Sequence, residues 1–276
     1  MEIEEVEEIT KNEAEGFIRK YHYRKIMPRL NKMFYGGFTD GQLVAVMTLG
    51  WGTQPDKTIK KLFPSLSTKD YYEIGRLCLI DELPRNSESN FISRVMKRVK
   101  NDTDVKVIFS WSDGIMGKPG FVYQCSNFWY ADKIKTDIYI TQEGYLIHPR
   151  SAKKLLEINA KYVKKDKLFW LTQDFMDLND ITRLKGFQFR YIYFVCSNKE
   201  RKRLVSECNI KLNKEYPKME DIFFYKKIDG KYEQCKFPHY IETLSAGEVS
   251  RAIHCTSSTE GLVQFQHPAL NQCELF

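Results

Sequence analysis

The chain has 276 residues, 42% of them hydrophobic, which is enough for one large domain with an appendage and excludes a globally disordered protein. Its formal charge is +7, divided between a first stretch of 15 residues at −6 and a remainder at +13, so the body suits a polyanionic partner, nucleic acid ahead of anionic membrane. No apolar run approaches bilayer-spanning length, the N-terminus lacks an apolar signal core, and none of the seven cysteines forms a C-x-x-C pair; a cytoplasmic protein with reduced thiols and no membrane partner is expected.

In chain order, "ITKNEAEGFIRKYHY" predicts the first helix: Thr10 with Glu13 forms a capping box, and Ala14, Phe17, Ile18 and Tyr21 fall at i, i+3, i+4, i+7. Residues 33–50 read as two strands joined at Asp40-Gly41, a pair suited to a type I′ turn. A polar loop precedes the strand "YYEIGRLCLID". The helix "SESNFISRVMKRVK" follows, with Phe91, Ile92, Val95, Met96 and Val99 on one face. "VKVIFSW" is a further strand, residues 120–128 a short helix, and another strand comes after it. Residues 150–167 are lysine-rich, with a helical stripe at Leu155, Ile158 and Tyr162. "FQFRYIYFVC" is a strand, "KERKRLVSEC" a basic helix, and "IFFYKKIDGKYEQC" a hairpin turning at Asp229-Gly230. From Thr243 the sequence is Ser, Thr, Gly and Gln-rich without periodicity, the pattern of a mobile tail. The order predicts an α/β fold, a mixed central sheet with helices on both faces, close to the order of an N-acetyltransferase-type (GNAT) core. Three parts are expected: a catalytic domain over 1–218, a terminal hairpin extension over 219–242, and a flexible tail over 243–276.

Three stretches carry candidate chemistry. In "RKYHYRK", His22 lies between Tyr21 and Tyr23, among six lysines and arginines and no acid from Gly16 to Phe34. It is open to two readings: a base or metal ligand beside an anionic backbone, or a helix-terminal histidine answering the C-terminal dipole. Arg19, Lys20, Arg24 and Lys25 around it are candidate phosphate contacts. In "IDELPRNSESNF", Ser87 and Ser89 are placed to cap a helix whose N-terminus attracts a phosphate or carboxylate. GNAT enzymes usually carry an Arg/Gln-x-x-Gly-x-Gly/Ala loop here for the pyrophosphate of coenzyme A. Arg85, Asn86 and Ser87 stand in its place, which argues against ordinary acetyl-CoA binding. In "FSWSDGIMGKPGFVYQCSNFWYAD", Ser110, Trp111 and Asp113 close a strand, with Tyr123, Asn127 and Trp129 after it. Asp113 either orients a base or merely turns the chain before Gly114. Tyr123 lies where GNAT enzymes often place a tyrosine acid.

The set "YHY", "GGFTDGQLVAVMTLG", "RLCLIDELPRNSESNFISRVM", "SWSDGIMGKPGFVYQCSNFWYAD" and "CSNKERKRL", in order from about Tyr21 to Lys218, resembles the Mom family of phage DNA-modification proteins. The resemblance implies a divergent GNAT fold and conversion of adenine in double-stranded DNA to an N6-carbamoylmethyl derivative that blocks restriction endonucleases. It implies an active site around His22 and Asp113, with Tyr123 and Asn127 as neighbours. The donor is open, and iron is an option, with His22 as a ligand. The residues agree with this in kind. A weakly nucleophilic adenine N6 needs a base oriented by a carboxylate. A flipped adenine needs aromatics such as Tyr21, Tyr23, Trp111 and Trp129. The helix carrying Arg201, Lys202 and Arg203 suits phosphates. The alternatives are an acyltransferase acting on a small amine or a hypermodified base, and a non-catalytic DNA-binding module. Cys235, His239, His254 and Cys255 fit no standard zinc spacing. The final "NQCELF", with Gln272, Leu275 and Phe276 as Q-x-x-L-F, resembles the peptide that docks on a bacterial sliding clamp.

Overall fold

A computed structural model describes residues 2–22, 27–52, 54–147, 171–228 and 231–235. It opens with a strand, β1 (Glu5–Glu8), where the sequence shows only an acidic run. Strand β1 pairs antiparallel with β2 (Asn31–Thr39) from Glu5↔Phe38 to Glu8↔Tyr35. Its three glutamates are exposed at the sheet edge and only Val6 is partly covered, so no apolar alternation marks the strand. Helix α1 (Lys11–Tyr21) starts at the expected box: Thr10 Oγ1 accepts from the Glu13 amide and Glu13 Oε2 from the Thr10 amide. It buries Ala14, Phe17 and Ile18, while Tyr21 stays 44% exposed. Strand β3 (Gln42–Gly50) returns from β2 through Asp40 (φ 48°) and Gly41 (φ 73°), the left-handed pair of a type I′ turn.

The stretch read as a polar loop contains a helix, α2 (Pro55–Leu62), begun by a proline and burying Ile59 and Leu62. Two apolar positions in eight residues are too few to declare a period. Strand β4 (Tyr71–Leu79) pairs antiparallel with β3 and is irregular at Gly75, which falls between the partners of Leu49 and Thr48. Helix α3 (Ser87–Asp102) buries the predicted face, Phe91, Ile92, Val95, Met96 and Val99. Each such side chain contributes about 1.5–3 kcal/mol relative to exposure. Its start differs from expectation. Asn86 takes the cap position in a left-handed conformation (φ 71°), so Ser87 is already helical. Its hydroxyl, and that of Ser89, donate back to the Pro84 and Asn86 carbonyls instead of capping amides.

Strand β5 (Val107–Ser112) is followed by α4 (Phe121–Cys125), β6 (Trp129–Ile140), β7 (Leu146–Ile147), α5 (Gln173–Leu178), β8 (Thr182–Phe194) and α6 (Asn198–Glu207). The hairpin β9 (Phe224–Ile228) with β10 (Lys231–Cys235) comes last. The chain forms two compact units, 1–138 with 184–238, and 139–183 with 239–276. In the first, the sheet order is β1-β2-β3-β4-β5-β8-β6, and β9 joins β8 through Leu184↔Lys226 and Lys185↔Tyr225. Strand β4 runs parallel to β5, whereas β1–β2, β2–β3, β3–β4, β5–β8 and β8–β9 are antiparallel, so the sheet is mixed. Alternate residues sort to its two faces. Ala45, Met47, Ile108, Phe189 and Tyr191 pack with α3 and with Tyr123 of α4. On the other face Val46 meets α1, and Val107, Phe109, Ile192 and Phe194 meet Ile59 of α2 and Leu204 of α6. Helices therefore cover both faces, as the element order predicts. In the second unit, Tyr139 and Ile140 pair with β7 over a small core of Ile147, Leu171, Phe175, Met176 and Ile181. No helix among the described residues is long and apolar enough to cross a membrane.

Candidate active site

Strands β4 and β5 run parallel but pair only from Tyr71↔Val107 to Glu73↔Phe109. Beyond Glu73 the ladder ends, and a cleft lined by both strands opens there. It measures about 560 Å³, within the range of small-molecule and cofactor sites. Ile74 to Leu77 of β4 form one wall, Trp111 and Ser112 of β5 another, and residues 117–123 a third. His22 and Gln188 also line it.

Each side chain arrives for a local reason. His22 is the C-terminal cap of α1, its amide bonded to the Ile18 carbonyl at 3.0 Å, which puts the imidazole at the helix end. Asp113 follows the last residue of β5. Its backbone carbonyl accepts from the Met116 and Lys118 amides (2.8 and 3.2 Å), and Ser112 Oγ donates to the Lys118 carbonyl (2.7 Å), closing a tight loop. Gly114 is required in that loop: a Cβ there would lie 2.5 Å from the Phe189 ring and 2.8 Å from the Phe187 carbonyl oxygen. Tyr123 sits on α4 with its ring 5.4 Å from Tyr191 and 5.3 Å from Phe128. The Asp113 carboxylate accepts a 2.5 Å hydrogen bond from Gln188 Nε2.

Trp111 is fixed from behind. Its Nε1 donates to Glu73 Oε2 at 3.2 Å, and the Arg190 guanidinium carbon lies 5.4 Å from the ring centre. Arg190 is buried and donates through Nε to the Ala131 carbonyl at 2.9 Å. Burial pushes the Glu73 carboxyl above its ordinary range, opposed by the Trp111 bond, the Gly52 amide and Arg190. Burial likewise holds Arg190 below the usual arginine value, against the pull of Asp132 and Glu73. The Trp111 indole is thus a cleft wall clamped between an acceptor and a cation.

The structure brings together His22, Trp111, Asp113 and Tyr123. It sends the others elsewhere. Arg85, Asn86, Ser87 and Asn127 line a second crevice of about 420 Å³ at the start of α3, with Ser89, Ser93 and Ser126. Asn127 has a left-handed backbone (φ 62°) and its carbonyl accepts from Lys214 Nζ at 2.8 Å. Trp129 packs edge-on against Phe194 at 6.4 Å under Lys214, within the α2 and α6 core, because its position in β6 faces that side. Ser110 is buried and its hydroxyl meets no hydrogen-bond partner among the described residues. Tyr21 leans on Phe17 beneath Lys20 Nζ, outside the cleft lining. Arg19 is paired with Glu15 at 3.1 Å. On α6, Arg203 bonds Glu200, Glu207 and Ser65, while Lys202 is exposed and Arg201 half-buried. Tyr23, Arg24, Lys25, the 155–162 stripe, the Asp229-Gly230 turn, His239, His254, Cys255 and the Gln272, Leu275, Phe276 peptide lie outside the described residues.

Three contributors escaped sequence reasoning: Arg76, Gln188 and the Glu73–Arg190 pair behind Trp111. The available signal was polarity inside apolar strands, Arg76 in "EIGRLCLI" and Gln188 with Arg190 in "FQFRYIYF". As for iron, the cleft supplies one imidazole and one carboxylate. A two-histidine, one-carboxylate set needs another imidazole, and no group of three His, Cys, Asp or Glu that could hold a metal occurs among the described residues. The described side chains do not fit an iron centre.

Residues 4–218 match the model of the Mom protein family, over most of the chain. This chain belongs to the Mom family. The methylcarbamoylase Mom of Escherichia phage Mu is 29% identical over 206 residues, covering 74% of this chain and 78% of that protein. Every cleft residue named above falls inside the Mom match, whereas β9 and β10 lie beyond it. Solved structures similar to the chain include an aminoglycoside 6′-acetyltransferase type Ii, at 9% identity and TM-score 0.37, covering 71% of this chain and 99% of that one. Another is an IAA acetyltransferase from Bacillus cereus, also at 9% and 0.37, covering 69% and 98%.

Proposed function

We propose that the chain modifies adenine in double-stranded DNA, attaching a carbamoylmethyl group to N6 and so protecting the DNA from restriction endonucleases. The observation that carries this reading is the convergence of His22, Asp113, Tyr123 and Trp111 on one cleft of about 560 Å³ where β4 and β5 separate. Membership of the Mom family and the similarity to the phage Mu methylcarbamoylase support it.

The exocyclic amine of adenine delocalises its lone pair into the ring. Forming the N6–carbon bond therefore requires a proton to leave N6, the work of a base within reach. His22 takes that role, Tyr123 protonates the leaving group, and Asp113 holds the neighbouring polar groups in place. The base must leave the stack to reach them, and the Trp111 face receives it. Arg76 and Lys118 line the same cleft and favour an anionic substrate. The crevice at α3 offers the Arg85 guanidinium and serine hydroxyls in place of a glycine-rich loop, so acetyl-CoA held in the usual GNAT manner is not part of the proposal.

The test is expression in a bacterium, digestion of plasmid DNA to nucleosides and mass spectrometry. A heavier deoxyadenosine that disappears with Asp113→Ala supports the reading. DNA bound by purified protein but carrying no modified adenosine would favour a non-catalytic DNA-binding module instead.

A further inference from the structure

Gln188 lies on β8 where the β5–β8 register, last formed at Ser112↔Phe189, would next place it opposite Asp113. Alternation puts Gln188, Asp113 and Trp111 on one face, with Trp111 opposite Arg190. Gln188 lines the cleft, and its Nε2 donates to Asp113 Oδ1 at 2.5 Å. That bond settles which way the amide points. The Asp113 oxygen accepts and the amide nitrogen faces it; turning the amide over would set two acceptor oxygens against each other. Gln188 Oε1 accepts no hydrogen bond from any described residue. The cleft is therefore lined by an amide of fixed polarity, with one acceptor and one remaining N–H beside a clamped indole.

We infer that Gln188 is the residue that reads the target base, and that its fixed amide selects adenine. This rests on the DNA-adenine reading above and adds the element of recognition. Oε1 accepts from adenine N6–H while the second Nε2–H donates to an adjacent ring nitrogen, the pairing by which glutamine and adenine recognise each other. Guanine and thymine present the opposite order on their pairing edges, an oxygen acceptor beside an N–H donor. Held in the same orientation as adenine, they are matched only by a flipped amide, which Asp113 forbids. Cytosine shares adenine's order but lacks its second ring and covers less of Trp111.

The test measures binding, so it does not depend on the group donor. Short single strands of thymine with a central run of adenines or of guanines are titrated against the full chain by fluorescence anisotropy at fixed salt. One good bidentate pair predicts about 10-fold preference for adenine over guanine in the wild type. Gln188→Leu and Gln188→Asn should bring that ratio to about 1 while leaving guanine-strand affinity unchanged, because phosphate contacts are untouched. Two variants guard against a folding defect in either, checked by thermal unfolding. An adenine preference that survives in both folded variants would overturn the assignment. So would a wild type without preference, and if that wild type still modifies adenine in cells, the proposed function stands without Gln188. No binding to either strand and no modified adenosine would overturn both.

Discussion

The basic helix α6 and the cleft between β4 and β5 use charge in opposite ways. On α6, Arg203 Nη2 bonds Glu200 at 2.8 Å and its Nη1 bonds Glu207 at 2.6 Å, and Glu200 also receives Lys106 at 4.0 Å. These charges answer one another along and beside the helix. In the cleft, His22, Arg76, Asp113, Lys118 and Gln188 surround about 560 Å³ of open space. The first arrangement pairs charges on a surface; the second gathers polar groups around open space. Density of basic letters therefore does not by itself mark a cavity; that depends on which residues the fold makes converge.

The largest test of that contrast removes the groups at the cleft. His22→Ala and Asp113→Ala should each lower modified deoxyadenosine by about 100-fold or more, read by nucleoside mass spectrometry, since general acid–base groups contribute on that scale. Wild-type levels in either variant would return that residue to a capping role. Next, Trp111→Ala should cost about 1–3 kcal/mol of DNA affinity, the usual worth of stacking one base on an aromatic ring. An anisotropy titration that shows no loss would leave the wall of the cleft without a ligand.

Behind that wall, Glu73 makes a smaller prediction about pH. Its folded-state pKa lies above the unfolded value because of burial, so the folded protein holds more protons in between. Stability attributable to this group therefore falls as pH rises from the ordinary carboxylate range through the raised value. Glu73→Gln keeps an acceptor for Trp111 Nε1 and removes the ionisation. Melting temperatures across this window should decline less steeply with pH in the variant than in the wild type; parallel curves would mean that the carboxyl is not held protonated.

The smallest effects belong to α6 and sharpen the comparison from its other side. If the helix touches phosphates, Arg201→Ala and Lys202→Ala should each reduce the slope of log affinity against log salt by about 1. Arg203→Ala should leave that slope unchanged, because its guanidinium is already divided between Glu200 and Glu207. A slope change with Arg203 as large as that with Lys202 would show that its ion pairs open on DNA.

Much of the fold was legible in the sequence because it is written in local periodicity. Helix α3 shows its buried face as Phe91, Ile92, Val95, Met96 and Val99, and the β2–β3 hairpin shows its turn as Asp40-Gly41. The candidate site was legible in part. His22, Trp111, Asp113 and Tyr123 stand out as polar or aromatic residues at element ends, and they do share a cleft. Asn127 and Trp129 looked like members of the same group from their nearness along the chain. A left-handed turn at Asn127 takes one to the α3 crevice, and the pleat of β6 takes the other into the core.

By itself the sequence determined the elements with strong periods, the Thr10 capping box, the Asp40-Gly41 turn, the family, and the types of side chain available for chemistry. These depend on residues within a turn or two of each other, where sterics and hydrogen bonding act locally. Tertiary structure alone decided where β4 and β5 part, that Asp113 meets Gln188 from 75 positions away, and that Glu73 and Arg190 clamp Trp111. It also decided that acidic β1 is an edge strand and that Arg203 reaches Ser65 from 138 positions away. Pairings across a sheet are set by strand order and register, which are properties of the whole packed chain and leave no mark in the spacing of the residues they join.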